Sequence, residues 1–384
     1  MPLHTYTRRT VLASLFRAAA SATVGMPALN ALAQSFGGPN QRRGGMMQFT
    51  EPFRRQYRVP AMSIALSKNG QFVYDHAGGM IDREHTTQAS QDSLFRIADL
   101  SKVITAVTIF SLIEGGKLNL TDHAFGSAGV LGTKYGKGPY KMYVTDITVD
   151  HLLTHTAGGW PAGENDPMLH NNGWDQSKLI TETIDNVALT SQPGTQWAYS
   201  NFGYCVLGRV IEQVTRQPYE SYVQGNILAT CGITTMQIAQ NSERHRAPDE
   251  VIYIGQYSED PYKININRMD STAGWIASST QLVQFLDHVG GAPGIPSLLK
   301  PETIRVMTTP SPAYPQGDAR YARGCMVANN GSWWHSGSLP GSTGLMIRSP
   351  DASCSAAVCN TRAEPHQEMD TALYQMLLNM ESDL

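Results

Sequence analysis

The stretch FRIADLSK, residues 95–102, places a carboxylate and an ammonium group at the start of a predicted helix. Apolar side chains recur at helical spacing over residues 99–115, and two consecutive glycines end the pattern. Asp99 and Lys102 lie three residues apart, so their side chains share one face of this helix. Ser101 follows Asp99 by two residues, a rotation of ~200°, and is expected to point away from that face. The sequence therefore predicts a charged pair at the first turn of an otherwise apolar helix.

Two further polar motifs lie at the ends of predicted elements. The tripeptide YSN, residues 199–201, follows a Pro-Gly turn and precedes a helical pattern. The tetrapeptide HSGS, residues 335–338, follows two tryptophans at the end of a predicted strand and precedes a Gly/Pro turn. Functional side chains are often presented at such element ends, so we expect the chemistry of this chain at these motifs.

Strand patterns occur towards both ends of the sequence, and helical patterns lie between them. Residues 61–66 and 71–74 form two short strand patterns around Asn69-Gly70, a dipeptide that favours a hairpin turn. Four more strand candidates follow at 323–328, 332–335, 344–348 and 355–360. Helical patterns are predicted at 147–154, 175–187, 203–216, 219–227, after Ser279 and at 365–381. Strands on short connections favour an antiparallel sheet, so we predict an α+β fold whose sheet comes from both chain ends.

Together these motifs resemble those of the serine β-lactamase and penicillin-binding-protein superfamily, in particular its class C-like esterases, D-aminopeptidases and DD-peptidases. FRIADLSK is similar to the family pattern F-R-I-A-S-x-S-K, YSN to Y-x-N, and HSG to K-T-G or H-x-G. The likeness includes residues 151–158 and 274–279 and spans residues 47–380 in the family's order. It implies a β-lactamase/DD-peptidase-like fold, with an inserted helical domain at 126–265 and an α/β domain formed by residues 47–125 and 266–384.

The resemblance implies catalytic roles for three matching residues. Lys102 matches the family lysine that takes the proton of the nucleophile, and Tyr199 matches the group that protonates the leaving group. His335 stands where penicillin-binding proteins have a lysine. These residues, together with Asp99, are the predicted catalytic set.

The resemblance also implies a set of substrate-binding residues. Asn201 matches a donor to the carbonyl groups of the substrate, and it is grouped with Ser336, Gly337 and Ser338 of the third motif. The main-chain N–H of Ser338 and that of Asp99 would form the oxyanion hole.

One position departs from the family pattern. The nucleophilic serine is the first residue of the family's S-x-x-K, and this chain has Asp99 there, so the acyl-serine mechanism cannot be transferred. Asp99 can be a helix-capping residue that pairs with Lys102 in an inactive site. It can instead be a changed catalyst, either a general base on water or on a carbon acid, or a nucleophile that forms an anhydride. It can also be an engineered or erroneous position in an ordinary serine hydrolase.

The composition limits the partners of this chain. Its 384 residues are 41% hydrophobic and 16% charged, which is enough for a sizeable core. The 29 Lys and Arg against 32 Asp and Glu give a net charge of −3, which offers nucleic acid no attraction. We expect a small-molecule substrate, no nucleic acid, no cofactor and no metal.

The predicted reaction is hydrolysis of a small ester, amide or lactone-type substrate. The alternative is a catalytically silent protein that binds a cell-wall peptide or metabolite.

Residues 1–33 have the pattern of a twin-arginine export signal. The arginines at 8–9 precede an apolar, alanine-rich stretch, and residues 31–33 supply the small side chains of a cleavage site. A short membrane anchor is the alternative, but a charged residue and a proline interrupt the apolar run. We therefore predict a periplasmic or secreted protein with no stable membrane anchor after cleavage, and a flexible leader at 34–46.

Overall fold

A computed structural model describes residues 39–384, in which helices cover both faces of one large sheet. The predicted export signal at 1–33 and the first part of the predicted leader lie outside the described residues. The helices are α1 (Pro39–Gln56), α2 (Ser101–Glu114), α3 (Val149–Leu153), α4 (Gln176–Asn186), α5 (Asn201–Thr215), α6 (Tyr219–Val223), α7 (Asp270–Ala273), α8 (Ser279–Gly290), α9 (Pro301–Met307) and α10 (His366–Ser382). The strands are β1 (Ala61–Lys68), β2 (Gln71–Gly79), β3 (Phe95–Arg96), β4 (Gln237–Ile238), β5 (Ile254–Gly255), β6 (Trp275–Ala277), β7 (Ala319–Tyr321), β8 (Met326–Ala328), β9 (Trp333–Leu339), β10 (Ser342–Arg348), β11 (Ser353–Cys359) and β12 (Thr361–Arg362).

The large sheet is antiparallel and has seven strands in the order β2-β1-β11-β10-β9-β8-β7. β1 pairs with β11, with Ile64 opposite Ala357, so strands from the two halves of the chain lie side by side. β10 joins β11 to β9, with Gly344 opposite Gly337. The predicted α+β arrangement, an antiparallel sheet built from both chain ends, is thus confirmed. The predicted hairpin is also present, with Gly70 at a φ of 75° in its turn.

β1 alternates between two hydrophobic cores, as a strand that is covered on both faces must. Ile64 and Leu66 pack in the core that includes α10, whereas Ala65 faces the core on the other side of the sheet, where α8 lies. On that side the Ser67 hydroxyl donates to Oδ1 of Asp287 in α8, at 2.9 Å. Burial raises the pKa of the Asp287 carboxyl, an effect that this hydrogen bond opposes.

α2 is the most deeply buried of the longer helices that carry the candidate site. Residues 101–110 and Leu112 are all buried, and this set includes Lys102, Thr105 and Thr108 as well as the apolar side chains. The helix predicted over 99–115 is confirmed, although its first residues, Ala98–Leu100, form a 3₁₀ turn. α2 contacts α5 and α7, so its first turn is held between the sheet and the helices of the middle of the chain.

α1 overlaps the segment 34–46 that was predicted as a flexible leader, and the bounds of that leader stay a prediction. The helix begins at Pro39, a residue type favoured at helix starts, so the part of the leader that the structure describes is helical. Met46 and Phe53 are buried and pack in the core that contains Leu373 of α10. The seven-residue spacing of these two apolar side chains places them on one face of the helix, and this face binds it to the domain.

α3 to α6 all lie within the segment predicted as an inserted domain at 126–265. The boundaries of that domain stay a prediction. Within residues 39–384, none of the helices is both long enough and apolar enough to cross a membrane.

Candidate active site

Asp99 lies in the 3₁₀ turn that connects β3 to α2. The turn is anchored by the N–H of Ile97, which donates to the carbonyl oxygen of Trp275 at 3.0 Å. Ala98 has a φ of 49°, a left-handed conformation that costs a non-glycine residue about 1–2 kcal/mol. Burial of the whole turn holds this conformation, and Asp99 itself is only 6% exposed. The carboxylate is therefore fixed at the end of a rigid element rather than on a loose loop.

Lys102 is completely buried, at 0% exposure, and its ammonium group donates three hydrogen bonds. The acceptors are Oδ1 of Asp99 at 2.5 Å, Oδ1 of Asn201 at 2.8 Å and the main-chain oxygen of Thr272 at 3.1 Å. An ammonium group has three N–H donors, so all of them are used in this arrangement. The ammonium nitrogen also lies 4.9 Å from the centre of the Tyr199 ring. The predicted pair of Asp99 and Lys102 is a direct ion pair.

The second motif brings a phenol and an amide to the same place. The Tyr199 hydroxyl donates to Oδ1 of Asp99 at 2.9 Å. α5 begins at Asn201, and the preceding Ser200 caps it by accepting from the N–H of Gly203 at 3.1 Å. Capping fixes the first turn of α5, which places the Asn201 amide against Lys102.

The third motif passes directly over the turn that carries Asp99. A Cβ atom on Gly337 would lie 2.7 Å from the main-chain nitrogen of Asp99 and 2.7 Å from the oxygen of Ile97, which only glycine avoids. The N–H of Ser338 lies 3.5 Å from Oδ2 of Asp99. Ser336 and Ser338 are half-buried at this end of β9. The structure thus brings both predicted oxyanion-hole residues, 99 and 338, together.

His335 is buried beside Tyr199 and Tyr321. Its Nδ1 lies 2.6 Å from the main-chain oxygen of Ser336, which can only accept, so the neutral ring carries its proton there. Nε2 lies 3.2 Å from the Tyr321 hydroxyl oxygen. These contacts orient the His335 ring beside Tyr199, and the two ring centres are 6.3 Å apart. The catalytic role of His335 stays a prediction.

The structure also identifies site residues that the sequence reasoning missed. Asp166 is fully buried and accepts from Nδ2 of Asn201 at 2.6 Å. Thr272 accepts from Lys102, and the His155 ring packs on Tyr199 with a centroid distance of 4.2 Å. The HTAG motif within residues 151–158 pointed to the segment that holds His155, but not to its place beside Tyr199. Ser101, as predicted, points away from the pair, and its hydroxyl accepts from the N–H of Trp275 at 3.3 Å.

These groups can activate a water molecule or bind a carbonyl compound. A carboxylate, an ammonium group and a phenol share one oxygen atom, Oδ1 of Asp99, which allows protons to pass between them. The main-chain N–H of Ser338, which now faces Oδ2 of Asp99, can donate to a negative oxygen, and the N–H of Asp99 is the second donor that the resemblance implies. Such a constellation fits acyl transfer from an ester or amide to water.

Comparison with known proteins gives consistent likenesses. A family model described as Beta-lactamase matches residues 46–380. Protein flp of Staphylococcus aureus (strain MRSA252) is 28% identical over 224 residues, which cover 58% of this chain and 44% of that protein. The match thus spans less than half the length of this relative.

Two solved structures share the fold. The octameric penicillin-binding protein homologue from Pyrococcus abyssi has a TM-score of 0.71 at 24% identity, over 89% of this chain and 79% of that chain. The D-amino acid amidase from Ochrobactrum anthropi SV3 has a TM-score of 0.69 at 18% identity, over 88% of this chain and 99% of that chain. At these identities the likeness is one of fold.

Proposed function

The chain belongs to the Beta-lactamase family, and on that premise we propose that it hydrolyses a small ester, amide or lactone-type substrate with Asp99 in place of the serine nucleophile. Membership confirms the β-lactamase/DD-peptidase-like fold expected from the resemblance. The observation that carries the proposal is the buried ammonium of Lys102, which binds Asp99 and Asn201 together in one polar network. A buried charge is costly, and an organised network around it is typical of active sites.

Asp99 is better suited to act as a general base than as a nucleophile. Direct attack by the carboxylate would give a tetrahedral adduct with two possible leaving groups. A carboxylate is a far weaker base than an alkoxide or an amine anion, so this adduct collapses back to the substrate. Removing a proton from water avoids the anhydride, because the attacking oxygen then comes from the water molecule.

The proposed reaction uses three protein groups in sequence. Asp99 takes a proton from water while the water oxygen forms a bond to the carbonyl carbon, and the N–H groups of residues 99 and 338 hold the resulting oxyanion. The bond to the leaving group then breaks as Tyr199 donates its proton to it. The proton on Asp99 returns to Tyr199 across their 2.9 Å hydrogen bond, which restores the site. One ester or amide and one water molecule give one acid and one alcohol or amine.

A catalytically silent binding protein is the second candidate, and one observation favours it. Oδ1 of Asp99 accepts from Lys102 and Tyr199, while Oδ2 lies near the N–H of Ser338. The carboxylate therefore reaches into the space where the carbonyl oxygen of a substrate would bind. In this alternative the cleft holds a cell-wall peptide or metabolite without turning it over.

Turnover assays separate the two candidates. We expect the purified protein to hydrolyse p-nitrophenyl esters, nitrocefin or amino acid amides, the last chosen because a structural neighbour is an amidase. Asp99→Asn keeps the shape of the side chain but removes the base, so kcat/KM should fall about 10²–10⁴-fold. Asp175→Asn, which changes an exposed carboxylate at the start of α4, is the matched control and should leave the rate unchanged. No turnover above the uncatalysed rate in the wild type would favour the binding protein, whereas equal and measurable rates for wild type and Asp99→Asn would remove Asp99 from the mechanism.

The proposal also predicts that penicillins do not acylate the wild-type chain. Stable acylation needs an attacking hydroxyl at position 99, and Ser101, the nearest serine in sequence, points away towards Trp275. Incubation with a fluorescent penicillin should give no long-lived covalent adduct by intact-mass measurement. An adduct would show that another serine attacks and would remove Asp99 from the mechanism.

We further propose that this hydrolysis takes place after export, in the periplasm or outside the cell. The twin arginine at residues 8–9 supports this location. Replacing both arginines by lysine in a reporter fusion should block export if the signal is of the twin-arginine type.

A further inference from the structure

Asp166 is a buried carboxylate next to the candidate site but outside the proposed reaction. It is 0% exposed and lies just before a short 3₁₀ helix, Pro167–Leu169, in the segment that follows α3. Oδ1 accepts from the N–H of Met168 at 2.9 Å, and Oδ2 accepts from Nδ2 of Asn201 at 2.6 Å. Burial raises the pKa of this carboxyl, while its two hydrogen bonds and the charge of Lys102 oppose the rise.

The two neighbours of Asn201 fix which way its amide points. Lys102 can only donate, so it requires the amide oxygen, and the two atoms are 2.8 Å apart. Asp166 accepts with both carboxylate oxygens, so it requires the amide nitrogen. A flipped amide would put its nitrogen against the ammonium group and its oxygen against the carboxylate. Both contacts would then be repulsive.

We infer that Asp166 is a positioning residue of the active site, which fixes the Asn201 amide and through it the ammonium group of Lys102. The inference rests on the proposed function, since it concerns the same Lys102 and Asn201. It adds a hydrogen-bonded chain that runs from Asp99 through Lys102 and Asn201 to Asp166, with a carboxylate at each end. Lys102 is thus held from two sides, and Asp166 holds it without touching the reacting atoms.

The neighbouring segment is built to hold Asp166 in place. The buried side chain of Arg268 donates to four main-chain oxygens of this segment, those of Met168, His170, Asn171 and Trp174. The N–H of Ala162, just before the segment, donates to the main-chain oxygen of Tyr199 at 2.6 Å. The segment that carries Asp166 is therefore tied both to the start of α7 and to the second motif.

A purely local role for Asp166 predicts a different result from a positioning role. As the cap of the 3₁₀ helix it needs only one acceptor for the N–H of Met168, which a serine supplies almost as well. As a positioning residue it also needs the acceptor that faces Asn201, which serine lacks. Asp166→Ser therefore keeps the cap and removes the contact to the site.

The test measures kcat, KM and the thermal unfolding midpoint of a set of variants of the full chain. We expect Asp166→Ser and Asp166→Asn to lower kcat about 10–100-fold with little change in KM, because Lys102 and Asn201 lose their orientation. Asp175→Asn again serves as the matched control and should change neither constant. Full activity in Asp166→Ser would overturn the inference and leave Asp166 as a cap.

A reciprocal exchange makes the test independent of the cap. In the double variant Asp166→Asn with Asn201→Asp, the amide at 166 can donate to the carboxylate at 201, whose second oxygen still accepts from Lys102. We expect each single change to lower the unfolding midpoint and the double variant to recover most of the loss, which is the sign of a direct coupling. Additive losses would overturn the inference.

The midpoint measurements also separate failure of this inference from failure of the proposed function. If the wild type turns over no substrate, kcat is measured in the Asp99→Ser background, and the coupling between positions 166 and 201 is still read from unfolding. Coupling without any turnover would contradict the proposed hydrolysis but not the positioning of Asn201 and Lys102. Turnover without coupling would contradict only the role of Asp166.

Discussion

Asp99→Ser is expected to raise the kcat/KM for p-nitrophenyl esters by about 10²–10⁴-fold over the wild type. Loss of the nucleophile in a triad-type hydrolase costs about 10⁴–10⁶ in rate, and part of this should be regained when a hydroxyl returns to a site whose other groups are in place. A serine hydroxyl at position 99 would lie near the ammonium of Lys102 and the hydroxyl of Tyr199, which now bind Oδ1 of Asp99. The smaller side chain would also vacate the space near the N–H of Ser338.

Two controls make this result interpretable. Asp99→Ala removes the carboxylate without adding a hydroxyl, so it should stay far below Asp99→Ser in activity. The serine variant should also form a covalent adduct with a fluorescent penicillin or with a fluorophosphonate, which the alanine variant cannot do. A serine variant that folds normally but is as inactive as the alanine variant would show that the rest of the site has been rebuilt for another purpose.

The parts of the fold that the sequence predicted correctly are those set by local signals. The Asn69-Gly70 turn favours a hairpin between two adjacent strands, and the apolar side chains of α2 recur at the spacing of a helix. Asp99 and Lys102 are three residues apart, so a helix brings them together whatever the rest of the chain does. The hairpin, the helix and the ion pair can therefore be predicted without knowing any long-range contact.

The meeting of the three motifs could not be derived from local signals. Tyr199 reaches Asp99 across 100 residues of sequence, and nothing in the intervening pattern encodes that contact. It was predicted only through the resemblance to a family whose members share the order of these motifs. Asp166 was missed because an aspartate before a proline is typical of exposed turns. The local sequence does not distinguish such an exposed aspartate from a buried one.

α1 and α9 are helices that the sequence patterns did not predict, and the reason is similar. Residues 39–46 are rich in Gly, Arg and polar side chains, which favours a flexible segment, yet Met46 and Phe53 supply enough apolar contact to hold α1 on the core. α9 was not predicted, because its seven residues are too short for a periodic pattern. Whether such short or polar segments form helices depends on tertiary packing, and local sequence patterns do not show those contacts directly.

Lys102→Met is expected to lower the free energy of unfolding by about 3–5 kcal/mol at neutral pH, because it leaves the Asp99 carboxylate buried without its cation. The oxygens of Asn201 and Thr272 also lose their donor. Methionine fills most of the volume of the lysine side chain, so the loss comes from charge and hydrogen bonding rather than from a cavity.

Denaturant unfolding of the wild type, Lys102→Met, Asp99→Asn and the double variant measures the coupling between the two residues. We expect the double variant to be more stable than Lys102→Met, since a neutral amide at position 99 no longer needs a cation. If Lys102→Met alone were as stable as the wild type, or if the two changes were additive, the ion pair would not be the element that holds the first turn of α2 in its active-site geometry.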